Sequence, residues 1–224
     1  GDVSPEGLQF IPAEASPTGY ALLAATHEIS GTVAVYEFGG KKMKKPFKFK
    51  DVKESYWAYS YIDHLYQQGI INGKSETIFA PEESATRVQF AVMLSRLLNL
   101  TAASENTKFS DVPEWADKEV QALYEANIVL GKENGQFDPN EIITREQMAS
   151  LLARACEFKT GTVIKVEKEK NFKDQDLFSP LLKENVQKVY QLGLMTGKSN
   201  EEFNPKEAAN RAQAAKVLSL LADK

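Results

Sequence analysis

The chain has 224 residues, 42% hydrophobic and 26% charged, with a formal net charge of −4; this is ordinary globular material, long enough for one substantial core or several small units sharing one. That charge excludes the broad positive field that holds nucleic acid, and no apolar run reaches the roughly 20 residues that span a bilayer, so no membrane insertion is expected. The single cysteine, Cys156, excludes an intrachain disulfide framework and a cysteine metal cluster, and His27 and His64 fall in no ligand spacing, so no metal and no other cofactor is expected.

Residues 1–46 read as an N-terminal extension ending in a lysine-rich linker, Lys41 to Lys45, which is the only run of like charge and reads as solvated. No basic stretch followed by an apolar one opens the chain, so any export signal is expected to have been removed or never present. Within the extension, Gly31 to Tyr36 is β-prone; so is Gly161 to Val166 much later, and the two are expected to pair as a small two-stranded ribbon.

From residue 47 onward one phrase occurs three times. A Gly-Lys is followed by Phe-x-Pro and then by Arg-x-Gln: Gly73, Lys74, Phe79, Pro81, Arg87, Gln89; then Gly131, Lys132, Phe137, Pro139, Arg145, Gln147; then Gly197, Lys198, Phe203, Pro205, Arg211, Gln213. The Gly-to-Phe, Gly-to-Pro and Gly-to-Arg separations are the same in every copy, which means one structural unit used three times. The repeats are assigned to 47–104, 105–168 and 169–224, the second carrying the β-prone segment.

Each copy opens on an aromatic followed two residues later by an Asp suited to N-capping: Phe49 and Asp51, Phe109 and Asp111, Phe172 and Asp174. An amphipathic helix follows, with apolar positions Ala58, Ile62, Leu65, Tyr66; Ala116, Val120, Leu123, Tyr124; and Leu182, Val186, Val189, Tyr190. It ends in a turn where Gly69, Asn127 or Gly193 supplies a left-handed residue. Beyond the Pro a second helix carries Phe90, Met93, Leu94, Leu97, Leu98; Met148, Leu151, Leu152, Ala155; or Ala214, Val217, Leu218, Leu221. Each stripe is too wide for its own short unit to cover, so the three second helices are expected to meet in a shared three-helix centre. The fold class is therefore mainly all-α. Cys156 reads as a small core residue of the middle second helix.

Thr86 with Gln89, Thr144 with Gln147 and Asn210 with Gln213 match the capping box. The box leaves the Arg unexplained: at the first helical position a cation faces the positive end of the helix dipole, at a cost of roughly 0.3–1 kcal/mol. Two readings stand. An anion at the helix start would meet free N–H groups, the dipole and a guanidinium fork, with Lys74, Lys132 or Lys198 adding charge; alternatively each Arg pairs with Asp51, Asp111 or Asp174. Trp57 and Trp115 read first as core residues, and otherwise as flat faces for a sugar ring. The Gly-Lys-Ser stretches at 73–75 and 197–199 look like the end of a P-loop, but they follow a helix and have three residues between glycines where the P-loop has four. The recurrent acids sit at caps, with no nucleophile and base constellation and no acid pair in a cleft, so no catalytic residue is assigned. A helical-repeat protein-docking module is the alternative function.

The Phe-x-Asp-Val starts (Phe49 to Val52, Phe109 to Val112), the Trp-Ala, the apolar turn, the Phe-x-Pro and the Thr-Arg-x-Gln together resemble tandem S-layer homology domains, covering about residues 47 to 224. The resemblance implies a three-pronged spindle of pseudo-threefold symmetry around the three-helix bundle, formed by one chain as a monomeric pseudo-trimer. It implies an extracellular place at the cell wall or S-layer of a Gram-positive-type bacterium, and non-catalytic anchoring through a secondary cell-wall polysaccharide that carries pyruvylated N-acetylmannosamine. Arg87, Arg145 and Arg211 would grip the carboxylate; the loops at Gly73-Lys74, Gly131-Lys132 and Gly197-Lys198 would offer backbone contacts. Asp51, Asp111 and Asp174 would accept sugar hydroxyls or orient the Arg, and Trp57 and Trp115 would pack on the ring. The third copy departs from the pattern, with Phe178-Ser179-Pro180-Leu181 and three extra residues in place of the Trp, Asn210 for Thr, and no Val after Asp174. At most two working grooves are expected.

Overall fold

The computed structural model describes residues 5–13, 15–27, 32–37, 45–104, 108–132, 134–198 and 201–224, and its contacts divide the chain into two units, Gly1–Phe47 and Lys48–Lys224. Of the lysine run, residues 41–44 lie outside the described residues.

The first unit is a three-stranded antiparallel meander, β1 (Pro5–Ile11), β2 (Leu22–His27) and β3 (Thr32–Glu37), in the order β1-β2-β3. Leu23 pairs with both Phe10 and Tyr36, and Ala25 with Leu8 and Ala34. The expected ribbon between the two β-prone segments does not form. β3 takes the partner nearest in sequence, and residues 161–166 form no strand. Gly161 instead ends a helix in the left-handed conformation (φ 65°), and the Ile164 N–H is held by the Glu157 carboxylate (3.0 Å).

The second unit is helical and carries the repeats: α1 (Tyr59–Gln67), α2 (Arg87–Leu97), α3 (Glu114–Glu125), α4 (Arg145–Thr160), α5 (Lys183–Gln191) and α6 (Arg211–Ala222), with a short 3₁₀ turn at Gln175–Leu177. All three capping boxes form, the Gln89, Gln147 and Gln213 amides donating to Thr86 (3.3 Å), Thr144 (3.3 Å) and Asn210 (2.8 Å), with the glutamine side chains accepting in return. Asn210 does the work of the threonines, so the third helix start is as well made as the others. Gly69, Asn127 and Gly193 are left-handed at φ 74°, 56° and 71°, as the turns require.

The repeats are not stacked in line but closed in a ring. The first helix of each packs on the second helix of its predecessor: α3 on α2, α5 on α4, and α1 on α6. The second helices bury Phe90 and Leu94, Met148 and Leu152, and Leu218 and Leu221 completely, and α6 packs on both α2 and α4. Three backbone bonds run around the centre. Ala85 N–H donates to the Ala209 carbonyl (2.9 Å), Ala209 to Ile143 (3.0 Å), and Ile143 to Ala85 (3.0 Å).

Where α1 meets α6, His64 Nδ1 bonds the buried Ser219 hydroxyl (2.9 Å). Ser95 holds the equivalent place on α2, but α3 offers Ala122 where α1 has His64, and the Ser95 hydroxyl is buried without a partner among the described residues. A buried hydroxyl without a partner costs about 1–3 kcal/mol. Ser95→Ala is therefore expected to hold or raise the urea midpoint, where most core substitutions lower it; a clear drop would show that Ser95 has a partner.

Candidate functional site

The site is built from the loop that joins each pair of helices. Asp51, Asp111 and Asp174 accept the amides of Phe79 (2.9 Å) and Ala80 (2.7 Å), of Phe137 (3.0 Å) and Asp138 (2.7 Å), and of Phe203 (2.9 Å) and Asn204 (2.7 Å). These carboxylates hold a strained turn, for Ala80, Asp138 and Asn204 all have φ between 55° and 59°. They form no ion pair with the arginines among the described residues, so the Asp–Arg pairing expected as one alternative is not made. Gly73, Gly131 and Gly197 leave room for the first aromatic of their own repeat: an added Cβ would lie 2.6 Å from Phe49, 2.5 Å from Phe109 and 2.9 Å from Phe172. Lys74 pairs with Glu83, Lys132 with Glu141 (2.9 Å) and Asp138 (2.6 Å), and Lys198 with Glu207 (2.6 Å). Sequence reading missed these acids, although each stands two residues after the repeat's Pro in all three copies.

The arginines cross from repeat to repeat. Arg87 Nε donates to the Phe137 carbonyl (2.9 Å), Arg145 Nε to Phe203 (2.8 Å), and Arg211 Nε to Phe79 (2.8 Å). Each guanidinium also lies over the ring of that same phenylalanine, 4.9, 4.8 and 4.6 Å from its centroid. The helix-start amides are taken as well: Arg87 and Val88 donate to Glu141 and Pro139, Arg145 and Glu146 to Glu207 and Pro205, Arg211 and Ala212 to Glu83 and Pro81. The expected free N–H groups are thus absent, and neighbouring carbonyls supply the negative charge that the dipole argument asked of a ligand. Burial pushes all three guanidinium pKa values down. Glu141, Asp138 and Asp111 oppose this at Arg87, Glu207 and Asp174 at Arg145, and Glu83 and Asp51 at Arg211; guanidinium remains charged in proteins.

The three are unequal beyond Nε. Arg145 spends a terminal nitrogen on the Thr196 carbonyl (3.0 Å); Arg211 spends its own on the Asn72 carbonyl (3.3 Å) and the Gln89 side chain (3.5 Å). Arg87 Nε also lies 3.7 Å from the Glu141 carboxylate, but among the described residues both terminal nitrogens of Arg87 are uncommitted. Arg87 lines a pocket of about 260 Å³ together with Leu130, Gly131, Lys132, Arg154 and Leu181, drawing on all three repeats. Leu181 stands directly before Leu182 as Trp57 stands before Ala58 and Trp115 before Ala116, so it is the third repeat's substitute for the tryptophan. All three are surface residues, Trp57 50%, Trp115 60% and Leu181 84% exposed, and the core reading of the tryptophans fails. The third repeat adds a buried aromatic, Phe178, which packs on Phe172 (5.9 Å) and Phe203 (5.7 Å).

The S-layer homology domain pattern matches this sequence at residues 48–91, 108–149 and 171–215, the same three segments that close the ring. The chain belongs to the S-layer homology family. Its three tandem S-layer homology domains make it a cell-wall-binding, surface-anchoring module, placed outside the cell at the wall or S-layer of a Gram-positive-type bacterium; such domains bind cell-wall polysaccharide. Similar proteins include an endoglucanase of Bacillus sp. (strain KSM-635), 47% identical over 78% of this chain and 19% of that protein, and Exoglucanase XynX of Acetivibrio thermocellus, 33% identical over 81% and 17%. S-layer protein EA1 of Bacillus anthracis is 30% identical over 86% of this chain and 21% of its own length. The chain thus spans about a tenth to a fifth of the length of the curated relatives it matches. No described helix is long and apolar enough to cross a membrane.

Proposed function

We propose that these S-layer homology domains anchor their protein by binding, without catalysis, a secondary cell-wall polysaccharide bearing pyruvylated N-acetylmannosamine, each chain acting as a monomeric pseudo-trimer. The observation that carries this reading is the pocket lined by Arg87, whose terminal guanidinium nitrogens are uncommitted among the described residues, and by Leu130 and Leu181. A ketal-linked pyruvate has a carboxylate for the first and a methyl for the second. In this reading the Gly131-Lys132 loop offers backbone contacts, and the exposed Trp57 and Trp115 pack on sugar rings in the companion grooves. Glu83, Glu141 and Glu207 keep the loop lysines in place.

Calorimetry with a synthetic pyruvylated glycan tests it. Wild type is expected to bind the pyruvylated glycan and to lose at least about tenfold in affinity when the ketal is absent, the scale of one charge-assisted contact. Arg87→Ala should weaken binding comparably. Equal affinity for the two glycans would remove the carboxylate from the mechanism.

A further inference from the structure

We propose that the Arg87 pocket is the dominant site of the three and that Arg154 is its second anion-gripping residue; this rests on the glycan-binding reading above. The three grooves share a plan but differ in how many guanidinium nitrogens they leave open. Each second helix has a position nine residues after its first arginine: Arg96 on α2, Arg154 on α4 and Leu220 on α6. Leu220 offers no charge. Arg96 is spent, donating to Glu119 (3.3 Å) and, with the Asn72 amide turned, to the Asn72 oxygen (3.2 Å).

Arg154 differs from both. It makes one hydrogen bond, Nη1 to the Ile128 carbonyl (3.2 Å), and among the described residues its Nε and Nη2 are uncommitted. It lines the same pocket as Arg87. Burial pushes its pKa down, opposed by Glu157. Lys132, also in the lining, pairs with Asp138 and Glu141, and Arg87 Nε shares that Glu141 (3.7 Å), so what the pocket leaves open is Arg154 together with the terminal nitrogens of Arg87.

The ligand class follows from this lining. Two guanidinia on one cavity suit a carboxylate, which accepts through two oxygens. Leu130, Leu181 and Leu182 add an apolar wall where the companion grooves have an exposed tryptophan available. A pocket of about 260 Å³ lies just below the roughly 300–1,000 Å³ of drug-sized ligand sites. That volume suits a single sugar residue, and the two arginines with the leucine wall suit one carrying a carboxylate and a small apolar branch.

The test uses the whole chain, with the methyl glycoside of pyruvylated N-acetylmannosamine as probe and the same sugar without pyruvate as control. Expected are one tight site per chain, shifts of the Gly131 and Lys132 amide resonances ahead of those of Gly73 and Gly197, and a loss of about tenfold or more in affinity in Arg154→Gln. Arg154→Lys should recover part of the loss, and Arg96→Gln should stay within about twofold of wild type. Undiminished binding by Arg154→Gln, or amide shifts led by Gly73 or Gly197, overturns the assignment while leaving glycan binding intact. If Arg154→Gln fails to fold, the wild-type shift map decides alone. A wild type that binds neither sugar sinks the reading beneath.

Discussion

Arg211→Ala is expected to lower stability by on the order of 3–5 kcal/mol, and Arg87→Ala by less. Both residues occupy the first position of a second helix and both stack on a phenylalanine of the next repeat. Arg211, however, is only 5% exposed and satisfies the Phe79 and Asn72 carbonyls at once. Removing it strands two acceptors, each at about 1–3 kcal/mol, and deletes a desolvated cation–π contact of up to about 2 kcal/mol. Arg87 makes the same ring contact but satisfies one carbonyl, with its Nε also 3.7 Å from the Glu141 carboxylate, and among the described residues its terminal nitrogens are uncommitted. Ligand binding should rank the other way, with Arg87→Ala the more damaging. Urea unfolding at constant slope reads the first quantity and glycan calorimetry the second. Equal losses of stability in the two variants would contradict the division of labour.

That division explains what was legible in the sequence. Local features were readable because their partners lie within four residues: the capping boxes at Thr86, Thr144 and Asn210, and the left-handed turns at Gly69, Asn127 and Gly193. The apolar stripes identified the buried faces for the same reason. Ring closure came from the family resemblance and not from periodicity, and its contacts were not readable, since Arg211 meets Phe79 across 132 residues and no periodicity encodes which carbonyl receives a guanidinium. The helix-dipole argument was sound in asking for negative charge beside each Arg, but a neighbouring repeat's carbonyls answered it before any ligand could. The Lys–Glu pairs were within reach, at a separation of nine residues. They were hidden because a repeated acid near a helix start reads first as a cap. The tryptophans misled in the opposite direction: a large apolar ring is highly buried on average, yet both stand at or just before the start of a first helix with half or more of their surface exposed.

A chain ended after residue 168 is expected not to fold as a cooperative unit, the largest effect foreseen here. In a linear helical solenoid a terminal repeat contacts one neighbour, and its loss leaves the remainder folded. Here the third repeat touches both others. Its removal uncovers α1, whose Ala58, Ile62 and Leu65 are fully buried and whose packing partner is α6, and it uncovers α4 where α5 sits. It also strips Arg145 of the Phe203 ring and carbonyl, and leaves the carbonyls of Phe79, Pro81 and Glu83 without the Arg211 and Ala212 donors. Two exposed helix faces and several orphaned backbone groups exceed the 5–15 kcal/mol or so that holds a typical domain together. Far-ultraviolet circular dichroism with thermal melting reads the outcome: no sharp transition for residues 1–168 alone, and its return when a separate 169–224 segment is added, because the ring needs the contacts and not the covalent link. A truncated chain that melts sharply near the intact temperature would mean that the repeats stack rather than close.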